Sequence, residues 1–220
     1  MKTFSLICEG VTDQIVLKNI LIGYFNDIEE DKISFTYAQP QQDETGRNAT
    51  KQIGGGGWGK VLQYIASDDL KNREPYTDYF IIQIDSDRAH DFPIDLSGQE
   101  NVEESISKIR TKLIQQIGKE FYEKIKEKTF FAICVDSLEC WLLPLYYSND
   151  RKADTNNCIY KLNQKLHKKL IINPINKDGR VYRKISKDYL KNKTITEKYG
   201  DNPSFEIFIN SMNEVFQPKS

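Results

Sequence analysis

The sequence predicts an α/β protein in which a parallel sheet of about four strands carries helices on both faces, followed by a basic helical C-terminal extension. Three observations lead to this prediction. Strand-like runs alternate with helical patterns over residues 1–147. The strand runs are mostly apolar throughout, which is typical of parallel strands buried on both faces. Strand signals then fade, so we treat residues 148–220 as an extension packed on the same core.

The first elements are read directly from the apolar pattern. Phe4–Cys8 predicts the first strand, and apolar residues at helical spacing behind it predict the first helix. Ile33–Ala38 alternates apolar with polar residues and predicts a second strand. Trp58–Ala66 predicts a short helix after a glycine run, and Tyr79–Ile84 predicts a third strand. A strand–helix order of this kind implies right-handed crossovers between parallel strands.

The remaining elements follow the same logic. Glu100–Lys128 carries an apolar helical stripe, Phe130–Val135 is a continuous apolar strand, and Ser137–Tyr147 predicts another helix. In the extension, turn-forming residues separate three further predicted helices, Thr155–Leu170, Arg183–Asn192 and Pro203–Phe216.

Composition excludes several protein classes. No stretch approaches the roughly 18 apolar residues that a membrane-spanning helix requires, so we expect no membrane association. The first residues reach a charge at Glu9, too soon for a signal-peptide apolar region, and we expect a cytoplasmic protein. The four cysteines lack CxxC spacing. We therefore expect buried reduced thiols and neither a disulfide scaffold nor a zinc site.

Charge is distributed unevenly along the chain, although the net charge is only −1. Residues 1–100 hold 9 basic and 17 acidic side chains, whereas residues 101–220 hold 22 and 15. The excess of positive charge is concentrated in residues 151–200, with 14 basic against 4 acidic side chains. Such a segment is either a solvated helix surface or a surface that neutralises phosphates.

Carboxylates follow the first and third predicted strands at the point where each strand ends. Glu9, with Gly10 and Asp13 behind it, follows the first strand, and Asp85 and Asp87 follow the third. In open α/β sheets, ligands bind at this edge. If the two strands are neighbours, the converging carboxylates need a cation, and hard oxygen ligands suit Mg²⁺ or Mn²⁺. The alternative is that these residues form a helix cap and a turn.

Glu9-Gly10-Val11-Thr12-Asp13 resembles the EGxxD motif of the Toprim domain, and Asp85-Ser86-Asp87 resembles its DxD motif. Two further segments, Gly54–Gly59 and Asp136–Trp141, are similar to segments of small prokaryotic Toprim proteins of anti-phage systems. The resemblance covers roughly residues 1–147 and implies a Toprim, Rossmann-like fold. The domain also occurs in topoisomerases, primases and overcoming-lysogenization-defect nucleases. The chain is too short for a topoisomerase, and its cysteines do not supply a primase zinc module.

The resemblance implies a role for each motif residue and a function for the chain. Glu9 would be the general acid or base, Asp85 and Asp87 metal ligands, and Asp13 a supporting catalytic carboxylate. Glu9 would also face the metal. The chain would be a Mg²⁺-dependent nuclease acting on RNA, such as tRNA, or DNA, in anti-phage defence. Family members of this kind often act with an ATPase partner, and a homo-oligomer is compatible with the sequence.

Further residues are candidates by position. Glu139, one turn into the helix after the fourth strand, is either an additional metal ligand or a capping residue. The candidate substrate contacts are small or basic: Gly10, Lys60, Arg88, Lys165, Lys168, Lys169, Arg180, Arg183 and Lys184. Two other functions stay open. One is a non-catalytic metal- or nucleic-acid-binding regulatory subunit of an ATPase complex, and the other is a small-molecule phosphotransfer enzyme.

Overall fold

Four parallel strands form the central sheet of the protein. The structure is a computed structural model that describes residues 1–26, 33–42, 52–53, 57–91, 94, 96 and 100–217. The strands are β1 (Thr3–Ile7), β2 (Ser34–Gln39), β3 (Gln41–Gln42), β4 (Gln52–Ile53), β5 (Tyr79–Asp85) and β6 (Thr129–Cys134). The sheet has the order β2-β1-β5-β6, while β3 and β4 form a separate antiparallel pair. The predicted parallel α/β architecture is confirmed.

The strand order places a crevice between β1 and β5. The chain crosses from β1 to β2 on one side, and β5 then pairs with β1 on the other side. The two central strands run in parallel, with Ile7 opposite Ile82, so both carboxyl ends reach the same edge of the sheet. This is the place where open α/β sheets bind ligands.

Helices cover both faces of the sheet. They are α1 (Val11–Phe25), α2 (Trp58–Ile65), α3 (Asp68–Arg73), α4 (Val102–Ile117), α5 (Lys119–Ile125), α6 (Cys158–Lys165), α7 (Gly179–Ile185), α8 (Asn192–Lys198) and α9 (Pro203–Phe216). One core lies between the sheet, α1 and the C-terminal helices. A second core lies between the opposite face and α2, α4 and α5. No helix in the part of the chain that the structure describes is long and apolar enough to cross a membrane.

Capping residues, glycine and proline set the helix ends more closely than the spacing of apolar residues does. The stripe predicted over Glu100–Lys128 is divided at Gly118, whose φ of 88° ends α4, because glycine tolerates positive φ without steric cost. At its other end, Asn101 and Glu104 form a reciprocal capping box that fixes the start of α4. The helix predicted over Ser137–Tyr147 is a 3₁₀ segment, Leu138–Leu145, and it includes Pro144, which cannot donate a backbone hydrogen bond.

In the extension, the prediction of helices is right but their bounds differ. The segment predicted over Thr155–Leu170 contains α6 and a short 3₁₀ turn, Lys168–Leu170. The helix predicted from Arg183 begins earlier, at Gly179, where the Asp178 side chain accepts a hydrogen bond from the Arg180 N–H. The helix α8 is not predicted at all, whereas α9 matches its prediction.

The C-terminal helices share a core with the sheet. The helices α7 and α8 pack on α1, and α9 packs on β6. Four large side chains are almost fully buried in the same cluster as residues of β1 and β6: Tyr182 of α7, Tyr189 of the 3₁₀ segment that follows α7, and Phe205 and Phe208 of α9. The extension therefore covers one face of the sheet.

The expectation that all four cysteines are reduced is wrong for two of them. Cys140 and Cys158 form a disulfide with a Cα–Cα distance of 5.1 Å, because α6 begins directly beside the 3₁₀ segment. Such a contact depends on how the extension folds back, and no spacing rule in the sequence indicates it. Cys8 and Cys134 are free and buried, as expected.

Candidate active site

Glu9 joins β1 and β5 at the edge of the sheet. Its Oε1 accepts a hydrogen bond of 2.6 Å from the main-chain N–H of Asp85, and its own N–H donates to Gln83 Oε1 at 3.1 Å. The structure thus brings the carboxylates of the first and third predicted strands together. Burial raises the pKa of Glu9 to about 8, with Asp13 and Asp87 adding to the effect.

Asp85 is buried and firmly held. Its Oδ1 accepts hydrogen bonds from Gln83 Nε2 at 2.8 Å and from the main-chain N–H of Leu138 at 3.0 Å. Its carbonyl accepts from the indole N–H of Trp58 at 2.6 Å. Burial, followed by the charges of Glu9 and neighbouring carboxylates, raises the pKa of Asp85 well above its ordinary value. The side chain is fixed at a position where an isolated negative charge is costly.

Asp13 turns back toward the strand end from the first turn of α1. Its carboxylate lies so close to Gly10 that a Cβ at that position would be 2.9 Å from Oδ2, which explains the glycine. Asp13 is 4% exposed, and its Oδ1 has no hydrogen-bond partner among the described residues. Burial raises its pKa to about 6 although Lys177 opposes the shift. A buried carboxylate oxygen without a donor is a place where a cation or a polar ligand fits.

Asp87 is the exposed member of the group. Its main-chain N–H donates to the Asp136 carbonyl at 3.0 Å, which ties the end of β5 to the end of β6. Desolvation raises the pKa of Asp87, while Lys177 and Arg88 oppose the rise. Arg88 itself pairs with Asp91 and is exposed.

Glu139 lies in the same cluster, but one of its oxygens is already bound. Lys177 Nζ is 2.7 Å from Glu139 Oε1, and the Tyr182 hydroxyl donates to the same oxygen. Burial would raise the pKa of Glu139, but these two partners hold it below its usual range. Its Oε2 is buried without a hydrogen-bond partner in the described structure. Glu139 is 0% exposed and is not among the residues that line the cleft described below.

Lys177 lines the candidate site, and the sequence did not indicate it. It comes from the loop before α7 and supplies a positive charge to Glu139, Asp13 and Asp85. These carboxylates raise the pKa of Lys177 above its ordinary value although burial opposes this, so its ammonium stays charged. In the sequence it is one lysine among many in a basic segment. Only the return of the loop to the sheet edge distinguishes it.

An open cleft of about 540 Å³ is lined by these groups apart from Glu139. One wall is the turn from Glu9 to Asp13 together with Asp85, Asp87 and Arg88, and the other is Pro174–Lys177. Gly57 also lines the cleft, and its N–H donates to the Glu9 carbonyl at 2.8 Å. Gly54–Gly56, which belong to the predicted glycine segment, lie outside the described residues.

The remaining predicted substrate contacts lie away from this cleft. Lys60 is on the first turn of α2, where its ammonium donates to Gln63. The others are exposed on or beside α6 and α7: Lys165, Lys168, Lys169, Arg180, Arg183 and Lys184. Of the predicted contacts, Gly10 and Arg88 line the cleft. The other predicted contacts are not among the residues that line the cleft.

The carboxylates line the cleft without meeting at a single point. Among the described residues, the three potential metal ligands whose atoms lie within 4.8 Å of one another are Asp136, Cys140 and Cys158. The two sulfurs of this group are joined in the disulfide. The acidic cleft therefore fits a cation held by one or two carboxylates with water or phosphate, rather than a cage made by protein alone. Comparison with family models, curated proteins and solved structures finds no match to this chain.

Proposed function

We propose that this chain is a divalent-metal-dependent nuclease of the Toprim type that hydrolyses phosphodiester bonds in RNA, including tRNA, or in DNA, as an effector of prokaryotic anti-phage defence. The observation that carries the proposal is that Glu9, Asp13 and Asp85 line one cleft at the carboxyl edge of two adjacent parallel strands. These positions are also those of the two motifs that resemble the Toprim domain.

The donor set suits Mg²⁺ or Mn²⁺. Asp85 and Asp87 would hold the ion, with Glu9 and the unpartnered Oδ1 of Asp13 on the same cleft. Glu139 lies behind the cleft lining, close enough for its charge to raise the pKa of Asp85. An ion held in the cleft would supply positive charge that polarises a scissile phosphate and offsets its charge. This fit rests on hard oxygen donors whose burial, together with the charges of neighbouring carboxylates, raises their pKa values.

The protein groups supply the proton chemistry and the remaining positive charge. With a pKa near 8, Glu9 holds or releases a proton close to neutral pH, which suits a group that takes a proton from water or gives one to a leaving oxygen. Lys177 and Arg88 face the same cleft and offset the negative charge of a polynucleotide.

The test is a Mg²⁺ or Mn²⁺ titration of the purified chain with tRNA, single-stranded DNA and plasmid. We expect cleavage by the wild type, and loss of cleavage in Glu9→Gln and in the double variant Asp85→Asn/Asp87→Asn, with the fold retained. The matched control is Asp68→Asn/Asp69→Asn, an exposed acidic pair at the start of α3. Undiminished cleavage by Glu9→Gln, with contaminating nuclease excluded, would overturn the assignment.

One observation favours a second function. Lys177 already compensates part of the negative charge in the cluster, as it would in a domain that binds but does not cleave. In that case, the chain is a regulatory subunit of an ATPase complex. Stable binding of metal and polynucleotide without cleavage, in the presence of the ATPase, would favour this function over the nuclease.

A further inference from the structure

The two sulfurs of the disulfide lie beside a third potential metal ligand, the carboxylate of Asp136. One ligand atom from each of Asp136, Cys140 and Cys158 lies within 4.8 Å of the other two. The Sγ of Cys140 is 3.5 Å from Asp136 Oδ2, and the main-chain N–H of Cys158 donates to the same carboxylate. Asp136 follows β6, Cys140 belongs to the 3₁₀ segment Leu138–Leu145, and Cys158 begins α6. Three elements thus bring two sulfurs and a carboxylate into one cluster.

The main chain holds Asp136 in place without help from the sulfurs. Its φ of 65° is in the left-handed region, which a residue other than glycine occupies only when its surroundings favour it. Those surroundings are two hydrogen bonds to the end of β5. The Asp136 N–H donates to Ser86 Oγ at 2.8 Å, and its carbonyl accepts from the Asp87 N–H at 3.0 Å. The carboxylate should therefore keep its position when the bond between the sulfurs is broken.

The environment of the cluster suits negative charge. Cys158 is the first residue of α6, and the N-terminus of a helix stabilises an anion such as a thiolate. Lys161 pairs with Asp154 at 2.7 Å, and its charge also stabilises the negative form of Asp136. Cys140 and Cys158 are buried, whereas Asp136 is partly exposed. An ion bound to all three side chains would therefore keep contact with water on the Asp136 side.

We propose that Asp136, Cys140 and Cys158 bind a thiophilic divalent ion such as Zn²⁺ once the disulfide is reduced, with water as the fourth ligand. Two thiolates and a carboxylate suit tetrahedral Zn²⁺, whereas Mg²⁺ prefers oxygen ligands alone. An external dithiol supplies the two electrons and two protons that convert the disulfide into two thiols, and it becomes a disulfide itself. The ion then displaces one proton from each thiol.

This site goes beyond the proposed nuclease. Asp136, Cys140 and Cys158 are not among the residues that line the acidic cleft, and their sulfur ligands select a different class of metal. The disulfide and the bound ion exclude each other, because both use the same two sulfurs. The cluster would therefore hold either a covalent bond or a metal ion, according to the redox state of the protein.

The test is Co²⁺ binding to the full chain, measured by absorption, because Co²⁺ replaces Zn²⁺ in thiolate sites and reports its ligands. The protein is reduced with dithiothreitol, desalted without air and compared with the oxidised protein. We expect the reduced chain to bind one Co²⁺ with a thiolate-to-cobalt charge-transfer band, and an equal amount of Zn²⁺ to displace most of it. The oxidised chain should lack this band. Co²⁺ in the acidic cleft would have oxygen ligands and would give no thiolate band.

Substitutions assign the ligands. The double variant Cys140→Ala/Cys158→Ala should lose the band. Asp136→Asn should weaken Co²⁺ binding at least about 10-fold, the lower end of what losing a ligand's hydrogen-bond partner costs in metal sites. Asparagine is chosen because it tolerates the left-handed backbone at this position. The matched control is Asp150→Asn, which removes an exposed carboxylate of the 3₁₀ segment Asp150–Ala153 and should leave the affinity unchanged.

Several results would overturn the proposal. A reduced wild type without the band would do so, as would a band that persists in the double cysteine variant and so belongs to Cys8 or Cys134. An Asp136→Asn variant that binds as tightly as the wild type would remove the carboxylate from the site. Near-ultraviolet circular dichroism checks the fold of each variant, and the oxidised chain gives the same comparison without any substitution. Cleavage is not measured here, so the Glu9→Gln test of the nuclease stands or fails separately.

Discussion

Glu9 connects three parts of the molecule through separate atoms. Its carbonyl accepts from Gly57 at the start of α2, its N–H donates to Gln83, and its carboxylate accepts from the Asp85 N–H. A glutamine keeps an acceptor oxygen at this position but cannot take up a proton. Glu9→Gln therefore separates chemistry from architecture, which makes it the most informative single substitution.

The raised pKa of Glu9 predicts how stability depends on pH. Burial raises its pKa to about 8, so the folded protein keeps a proton that the unfolded chain loses near pH 4–5. Stability should therefore fall as pH rises from about 5 to about 8 in EDTA, with Asp13 and Asp85 acting in the same direction. Urea unfolding measures this fall, and Glu9→Gln should make it shallower. A wild type that gains stability over this range would contradict the prediction.

A methyl group at Gly10 should disturb the site more than the fold. Its Cβ would lie 2.9 Å from Asp13 Oδ2, and the carboxylate must move away. We expect Gly10→Ala to reduce cleavage and to cost roughly 1–2 kcal/mol in urea unfolding. Gly59→Ala is the control, because a Cβ there meets nothing within 4 Å and α2 tolerates alanine. It should keep full activity and gain at most about 1 kcal/mol.

At the scale of elements, the strands were predictable because buried parallel strands are short, apolar and bounded by polar residues. All four strands of the sheet lie within one or two residues of their predictions. Helix ends were less predictable, since Gly118 and Pro144 interrupt patterns whose apolar spacing continues. The position of Glu9 and Asp85 at one edge of the sheet could be predicted from the ends of the predicted strands. The position of Lys177 could not be predicted in this way, because Lys177 lies in a loop, and a loop has no regular apolar spacing from which its path can be predicted.

The contact between α1 and the C-terminal segment gives a prediction about packing. A Cβ at Gly23 would lie 1.9 Å from the carbonyl oxygen of Tyr189, a main-chain atom that cannot rotate away. Gly23→Ala should therefore separate α1 from the 3₁₀ segment Lys187–Leu190 and destabilise the protein by about 3 kcal/mol or more. Thermal or urea unfolding checks this, with Gly59→Ala again as the reference. A loss below about 1 kcal/mol would show that the contact is not close.

At the scale of the whole molecule, the candidate site is built from both halves of the charge distribution. The acidic N-terminal half supplies Glu9, Asp13, Asp85 and Asp87, and the basic C-terminal half supplies Lys177. The uneven charge in the sequence thus corresponds to a cleft with carboxylates on one wall and Lys177 on the other. Composition indicated the two halves, but it did not indicate which lysine enters the cleft.

The shared core predicts that the sheet does not fold without the extension. A chain of residues 1–147 would expose the faces of α1 and β6 that Tyr182, Phe205 and Phe208 cover. We expect this fragment to lack near-ultraviolet circular dichroism and a cooperative urea transition, unlike the full chain. A fragment with native-like cooperative unfolding would show instead that residues 1–147 are an independent domain.

The ion pair of Lys177 with Glu139 has a consequence for how this protein is handled. An ammonium that belongs to the chain is present at the acidic cluster at every ionic composition of the buffer, whereas a dissolved cation can be removed. We therefore expect the fold to persist without metal, unlike small metal-organised domains that unfold with chelators. Metal-free protein should then accept one ion at a time, so that each metal is compared on the same folded molecule.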